Sequence, residues 1–353
     1  MSDASDQHDE VASHRGATAP AGRVLLVGLL GLVLAALLNA DSLVEQAERK
    51  PFGWPRDVSL AVWHPVQDVS HRLRLTAPRD AIDEATGRAG DDADDEFEFP
   101  PAPDDTATPP GTTTPGTSTP GDETPATTTT TTPPEPELRT PTAEEPLRVW
   151  VGGDSMSQVF GQSLVTYVED TGVMTSTLDY RISTGLTRPD YFNWPAHLDG
   201  EMARLDPEAV VIMFGANDAQ GMEVDGQVFE RLSEPWLAEY RRRVAGTMDL
   251  LRADGRIVYW VGQPIMREPG FSQRMATLNE VFQSEAATRP WVRYVDSYTL
   301  FANDAGAYEA FLPGLDGTVA DMRQGDGIHL SRPGGNVLAR KVLDVIEADA
   351  DLS

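Results

Sequence analysis

From Leu147 onward the sequence predicts an α/β domain of three layers, helix on sheet on helix, around a five-stranded parallel sheet. Five short runs are apolar almost without interruption: "LRVWVGG" from Leu147, "STLDYRI" from Ser176, "AVVIMFG" from Ala209, "RIVYWVG" from Arg256 and "WVRYVDS" from Trp291. Between them apolar positions recur at helical spacing, most clearly over Glu234 to Ala253, Phe271 to Ala287 and Pro333 to Ala348. Strands that are apolar on both faces and alternate with helices belong to a parallel sheet covered on both sides. Roughly 200 residues suffice for one such domain.

In chain order, residues 1–23 are a polar N-terminal tail. Val24 to Leu38 reads "VLLVGLLGLVLAALL" without a charge, and over 24–40 the run approaches the ~20 residues that cross a bilayer. A cleavable signal wants a small residue where Leu38 stands before Asn39 and Ala40, so an uncleaved transmembrane signal-anchor is expected. Arg15 and Arg23 on one side balance Arg49, Lys50 and Arg56 on the other, but long domains are exported largely regardless of such charges. The expected location is therefore the cell membrane, single-pass, with the C-terminal bulk outside the cytoplasm.

Residues 41–90 mix Leu60, Val62, Val66, Val69, Leu73 and Leu75 with charges and with Pro51, Pro55 and Pro65, which suggests short amphipathic helices near the membrane. They are too few to own a substantial core. Residues 91–146 begin with "DDADDEFEF" and continue as a Thr, Pro and Gly tract from Thr106 to Pro146. Such a composition cannot bury enough surface to offset ordering entropy, so a disordered linker is expected. Extended at ~3.1 Å per residue, its Thr/Pro part reaches on the order of 120 Å, a tether between a membrane and the domain at 147–353.

The chain of 353 residues carries 28 basic and 56 acidic side chains, a net charge of −28, and no cysteine. The acidity and the lack of a basic cluster exclude a nucleic-acid partner. Without Cys there is no disulfide, no thiolate metal site and no Cys nucleophile. Six His with no His-x-His cluster give little for a metal to bind, and no cofactor is expected.

The first strand runs into "GGDSMSQ", where Gly-Gly-Asp-Ser separates "LRVWV" from a helical pattern carrying Val159, Phe160, Leu164 and Val168. Ser155 at that junction suits either a helix cap or a nucleophile. In parallel sheets ligands sit beyond the carboxyl ends of the strands, so other polar residues at strand ends bear on the choice. Gly185 follows the second strand, Asn217 and Asp218 follow the third in "FGANDAQG", and "QGDGIHLSRPGG" puts Asp326 three residues before His329 ahead of the last helix. Each alone is also an ordinary turn residue.

In this order, "GDS" at Gly153 to Ser155, Gly185, "GAND" at Gly215 to Asp218 and "DGIH" at Asp326 to His329 resemble the four sequence blocks of the SGNH (GDSL-like) hydrolase superfamily. The resemblance covers the chain from about Leu147 and implies a flavodoxin-like α/β/α fold. It implies Ser155 as nucleophile, His329 as base, Asp326 as its partner, and an oxyanion hole from the Ser155 amide, the Gly185 amide and the Asn217 side chain. Met156 stands where Leu often follows the Ser. The anchor, tether and domain together look like membrane-tethered exported bacterial members.

Chemistry asks for the same residue types. A Ser hydroxyl needs an imidazole to take its proton, an Asp to orient that imidazole, and fixed donors for the charge that develops on the carbonyl oxygen. The reading that follows is an extracytoplasmic serine esterase acting on acyl esters, O-acetyl esters of cell-envelope carbohydrate among them, through an acyl-enzyme. An O-acyltransferase with the same triad, a non-catalytic tethered binding domain, and a metal-dependent phosphoesterase using Asp154, Asp218, Asp326 and His329 stand beside it. Asp154 is expected to close the turn below the nucleophile; Tyr191, Phe192 and Trp194 suit either core packing, the commoner fate of aromatics, or an exposed platform for carbohydrate, and Arg267 is a candidate to face the cleft.

Overall fold

The computed structural model describes residues 21–48, 50, 53–73, 75 and 137–352. The expectations for the N-terminal tail before residue 21 and for most of the linker, up to residue 136, lie outside the described residues. The chain divides into two units, one within residues 1–91 and one within 92–353.

The first unit is three helices: α1 (Ala21–Leu38), α2 (Ala40–Glu48) and α3 (Trp54–Arg72). Pro55 falls in the first turn of α3, where its missing N–H is not needed. The apolar run lies within α1, and after it the chain turns by 81° between Leu25–Leu38 and Ala40–Glu48. Among the described residues no single helix is long and apolar enough to cross a membrane, while that bent pair passes by length and composition together. Polar contacts hold α3 to its neighbours: Gln67 Nε2 donates to Asp41 Oδ1 at 2.9 Å, His71 Nε2 lies 2.8 Å from the same oxygen, and Ser70 Oγ donates to the Leu37 carbonyl at 2.7 Å. The opposite side of α3 exposes Trp54, Val58, Val62, Val69 and Leu73, a stripe at helical spacing. Along α1, Leu25, Leu26, Val27, Leu29, Leu30, Leu32, Val33 and Leu34 are likewise exposed.

In the second unit all five apolar runs form strands of one parallel sheet: β1 (Leu147–Gly153), β2 (Met174–Tyr180), β3 (Ala209–Met213), β6 (Ile257–Val261) and β7 (Val292–Val295), in the order β2-β1-β3-β6-β7. The helices are α4 (Ser157–Asp170), α5 (Trp194–Leu205), α6 (Glu234–Leu250), α7 (Pro269–Ala286) and α8 (Arg332–Asp349). The order reverses at β1, so right-handed crossovers place α4 on one face and α5, α6 and α7 on the other. Helix α8 packs on α4 and completes the third layer. Every residue of β3 and β6 is buried, as the unbroken apolar runs require.

Three elements escape the periodicity. Helix α5 begins with Trp194 and Pro195 behind an Asn193 side chain that accepts the Ala196 N–H at 3.3 Å, so a proline that reads as a breaker is an N-terminal one. Two small antiparallel hairpins, β4 (Met222–Val224) with β5 (Gln227–Phe229) and β8 (Phe311–Pro313) with β9 (Val319–Asp321), stand at the carboxyl edge of the sheet. The first turns on Asp225 (φ 50°) and Gly226 (φ 76°), an Asp-Gly hairpin signal plainly present in the sequence.

The domain also starts earlier than Leu147. Leu138 is buried in the core cluster, and Arg139 bonds to Glu208 Oε1 (2.5 Å) and to the Glu145 and Pro146 carbonyls (2.7 and 2.8 Å). A fragment of residues 137–353 should therefore melt higher than one of residues 147–353, and Leu138→Ala in the longer fragment should cost about 2 kcal/mol, the low end for a buried Leu. Equal midpoints in thermal unfolding would return the boundary to Leu147.

Candidate active site

Strand β1 ends on Gly153, whose φ of +139° and approach to β3 both demand glycine: a Cβ there would lie 2.2 Å from the Met213 carbonyl oxygen. The chain then turns outward through Asp154 and Ser155 before α4 begins at Ser157. Ser155 does not cap that helix, whose N-cap position is Met156 and carries no side-chain cap bond. Its Oγ lies instead 2.9 Å from His329 Nε2. His329 Nδ1 lies 2.7 Å from Asp326 Oδ2, and Asp326 Oδ1 accepts the N–H groups of Ile328 (2.8 Å) and His329 (3.1 Å). A proton on Nδ1 and a lone pair on Nε2 satisfy both contacts of the imidazole.

Two sheet neighbours bring the remaining groups. Asn217, beyond β3, donates from Nδ2 to the Thr184 carbonyl at 3.0 Å, which aligns its amide beside the loop that carries Gly185. Among the described residues the Ser155 and Gly185 N–H groups donate to no protein acceptor. The structure thus assembles Ser155, His329 and Asp326 in one hydrogen-bonded chain and sets Asn217 against the Gly185 loop.

Buried carboxylates fix these loops. Asp154 is fully buried; Oδ1 accepts the Met156 N–H at 2.8 Å, and Oδ2 accepts those of Gly215 (3.1 Å) and Ala216 (3.2 Å). It closes its own turn, as expected, and also reaches across to the end of β3. Burial pushes its pKa up to about 7, with the Asp218 charge adding to the rise and the three N–H donors opposing it. Asp218 is not a surface turn residue. Its Oδ1 accepts the Thr187 N–H (3.0 Å) and hydroxyl (3.1 Å), and its Oδ2 accepts the Tyr240 hydroxyl at 2.8 Å. The same carboxylate explains Gly185, which has no positive φ: a Cβ there would meet Asp218 Oδ1 at 2.2 Å. Burial raises the Asp218 pKa despite those donors. Asp326 is held below the usual carboxylate range, because the bonds from His329 and Ile328 outweigh its partial burial.

Trp194 is fully buried, with Nε1 donating to Thr184 Oγ1 at 2.9 Å, and half-buried Phe192 meets it edge-on at 4.9 Å; Tyr191 is half-buried too. Trp194 thus packs beneath the loop that carries Gly185, with Phe192 against it, in the core role most aromatics take. Arg267 is engaged with the catalytic loop, its Nη1 donating to the Gly325 carbonyl at 2.9 Å. The four groups of the metal-dependent reading do not converge: Asp154 and Asp218 are spent on buried donors, and among the described residues no three His, Asp or Glu side chains come together as ligands.

Ser155 beyond β1, Gly185 beyond β2, Asn217 beyond β3 and an Asp-x-x-His loop before the last helix thus stand together on one parallel α/β/α sheet, the arrangement that the SGNH resemblance implies. The chain belongs to the family described as "Protein of unknown function (DUF459)", which matches residues 148–345. No curated protein matches the sequence. Similar solved structures include an acetyl xylan esterase from Geobacillus stearothermophilus (15% identity, 57% of this chain and 94% of that one, TM-score 0.42). A GDSL-like lipase from Bacteroides thetaiotaomicron is 15% identical over 60% of this chain and 92% of its own, with a TM-score of 0.42. The catalytic domain of a Streptococcus pneumoniae peptidoglycan O-acetyltransferase is 13% identical over 58% and 96%, with a TM-score of 0.36.

Asp154→Asn tests the buried bridge, because it turns an amide N–H2 toward the Gly215 and Ala216 N–H groups. The expected loss is about 1–3 kcal/mol of stability, the range for an unsatisfied buried group. Since the folded pKa of about 7 lies above the unfolded value of about 3.9, the Asp154 contribution to wild-type stability is complete below about pH 4 and is lost as pH rises through about 7. Chemical unfolding across that window should show the decline in the wild type and not in Asp154→Asn; identical pH profiles would count against the assignment.

Proposed function

We propose that the domain is a serine esterase or acyltransferase working through an acyl-enzyme on Ser155. The continuous chain Ser155 Oγ, His329 Nε2, His329 Nδ1, Asp326 Oδ2, at 2.9 and 2.7 Å, carries this reading. As Ser155 Oγ attacks the acyl carbon, Nε2 takes its proton, and Asp326 stabilises the imidazolium. The carbonyl oxygen gains charge, which the Ser155 and Gly185 N–H groups and the Asn217 amide are set to receive without reorganising. Collapse expels the alcohol, which takes the proton back from Nε2, and leaves the acyl group on Ser155. Water entering with His329 as base gives hydrolysis; a sugar hydroxyl in its place gives transfer.

The substrate class proposed is acyl esters, with O-acetyl esters of cell-envelope carbohydrate first, because the linker composition suits a tether holding the domain outside a membrane. The membrane attachment is part of the same proposal: α1 exposes apolar side chains along its length, and α3 adds an exposed apolar stripe that includes Trp54.

Ser155→Ala should abolish turnover of short acyl esters while changing stability by no more than about 1.5 kcal/mol, the scale of one lost hydrogen bond. His329→Ala should be nearly as damaging, and Asn217→Ala should lower turnover by roughly 10²–10³. An organophosphonate should label Ser155, more slowly without His329. Full turnover in a folded Ser155→Ala protein, or labelling elsewhere, would sink the proposal. Running the ester assay with and without polysaccharide acceptor separates hydrolysis from transfer.

The topology is tested separately. Protease added to spheroplasts should cut within Thr106 to Pro146 and release a soluble domain; complete protection of that segment in sealed right-side-out cells would reverse the orientation.

A further inference from the structure

The loop from Gln324 to His329 closes on itself, the Gln324 N–H donating to the His329 carbonyl at 2.8 Å and the Gly327 N–H to the Gln324 carbonyl at 2.9 Å. Just before it stands Arg323, only 2% exposed. Among the described residues no carboxylate forms an ion pair with this guanidinium. Its Nη1 donates to the Ile328 carbonyl at 2.8 Å and its Nη2 to the Ile265 carbonyl at 2.5 Å, while Nε has no partner. Its centre lies 5.1 Å from the Phe301 ring and 5.7 Å from that of Tyr308. Burial draws its pKa down to about 10, against the pull of Tyr308 and Asp326, so it remains a cation at neutral pH.

A buried cation without a carboxylate partner is expensive to keep, and an apolar side chain of similar volume fills space better. What the guanidinium alone supplies is a planar fork of donors that reaches two carbonyls from separate segments at once. One is Ile328, immediately before His329. The other is Ile265, on the segment leaving β6. Arg267 grips the same loop from that segment, through its N–H to Gly327 (3.2 Å) and its side chain to Gly325.

We propose that Arg323 is a positioning residue: through the Ile328 carbonyl it fixes the peptide preceding His329 and keeps the imidazole in line between Ser155 and Asp326. The proposal rests on the serine-nucleophile reading. Arg323→Lys keeps the cation and part of the stem but cannot span two carbonyls in one plane; Arg323→Met keeps apolar volume without donors. The measurements are kcat, KM, thermal midpoint, the rate of phosphonate labelling at Ser155, and the low-field proton resonance of His329 Nδ1–H against Asp326.

For folded variants, kcat and labelling should fall by about 10²-fold in Arg323→Met and about tenfold in Arg323→Lys, the scale of a small misplacement of a catalytic group. KM should move by less than about twofold, and the low-field resonance should shift or broaden. Wild-type kcat and an unchanged resonance in a folded Arg323→Lys protein would overturn the proposal. So would failure of that variant to fold, which would make Arg323 a support of the scaffold. Failure of the underlying reading shows elsewhere, as full turnover in Ser155→Ala with Arg323 intact.

Discussion

The buried carboxylate of Asp154 joins the ends of the two strands between which the sheet reverses its order. One oxygen closes the turn that presents Ser155, and the other receives two amides from the loop that carries Asn217. Parallel strands need nothing from each other beyond their last ladder bond, and loops that follow them are free to diverge. Here a single buried group, bonded once within the Ser155 turn, ties that turn to the Asn217 loop at two points. The spacing of Ser155 and Asn217 is thereby set by the scaffold rather than by the loops themselves.

A second carboxylate repeats the device one layer further out. Asp218 sits beside Asn217 in sequence; its carboxylate receives Thr187 from the loop after β2 and the Tyr240 hydroxyl from α6, and leaves no room for a side chain at 185. Asn217 in turn bonds to Thr184, whose hydroxyl receives the Trp194 indole. The surroundings of the Gly185 amide are thus specified by packing beneath it. Burial beneath the site raises the pKa of both carboxylates, whereas that of Asp326, at its rim, is held down by the bonds it receives from His329 and Ile328.

Much of this was legible in the sequence, for identifiable reasons. Five strands announced themselves because both faces of a central parallel sheet are buried, so β3 and β6 read as unbroken apolar runs. Ser155, Asn217, Asp326 and His329 stood out because strand ends in such a sheet are where ligands sit. Helix α5 did not, since Pro195 reads as a breaker until its N-cap is known, and Asp225-Gly226 was a hairpin signal passed over. The purposes of Asp218, Gly185 and Arg323 were hidden because a buried polar residue and a surface turn residue share the same letters. Leu138 is hidden by a linker composition, and nothing in the sequence pairs the Trp194 indole with Thr184.

Ser155 and His329 are separated by 174 positions, and the helices that follow them, α4 and α8, pack on each other as the outer layer of one face. The first and last segments of the domain must therefore meet before any chemistry is possible. Contacts so distant along the chain form late, since the loop they close is nearly the whole domain. A chain still being made holds the Ser155 hydroxyl with no imidazole beside it. The order of synthesis itself keeps Ser155 and His329 apart until the last helix has joined the fold.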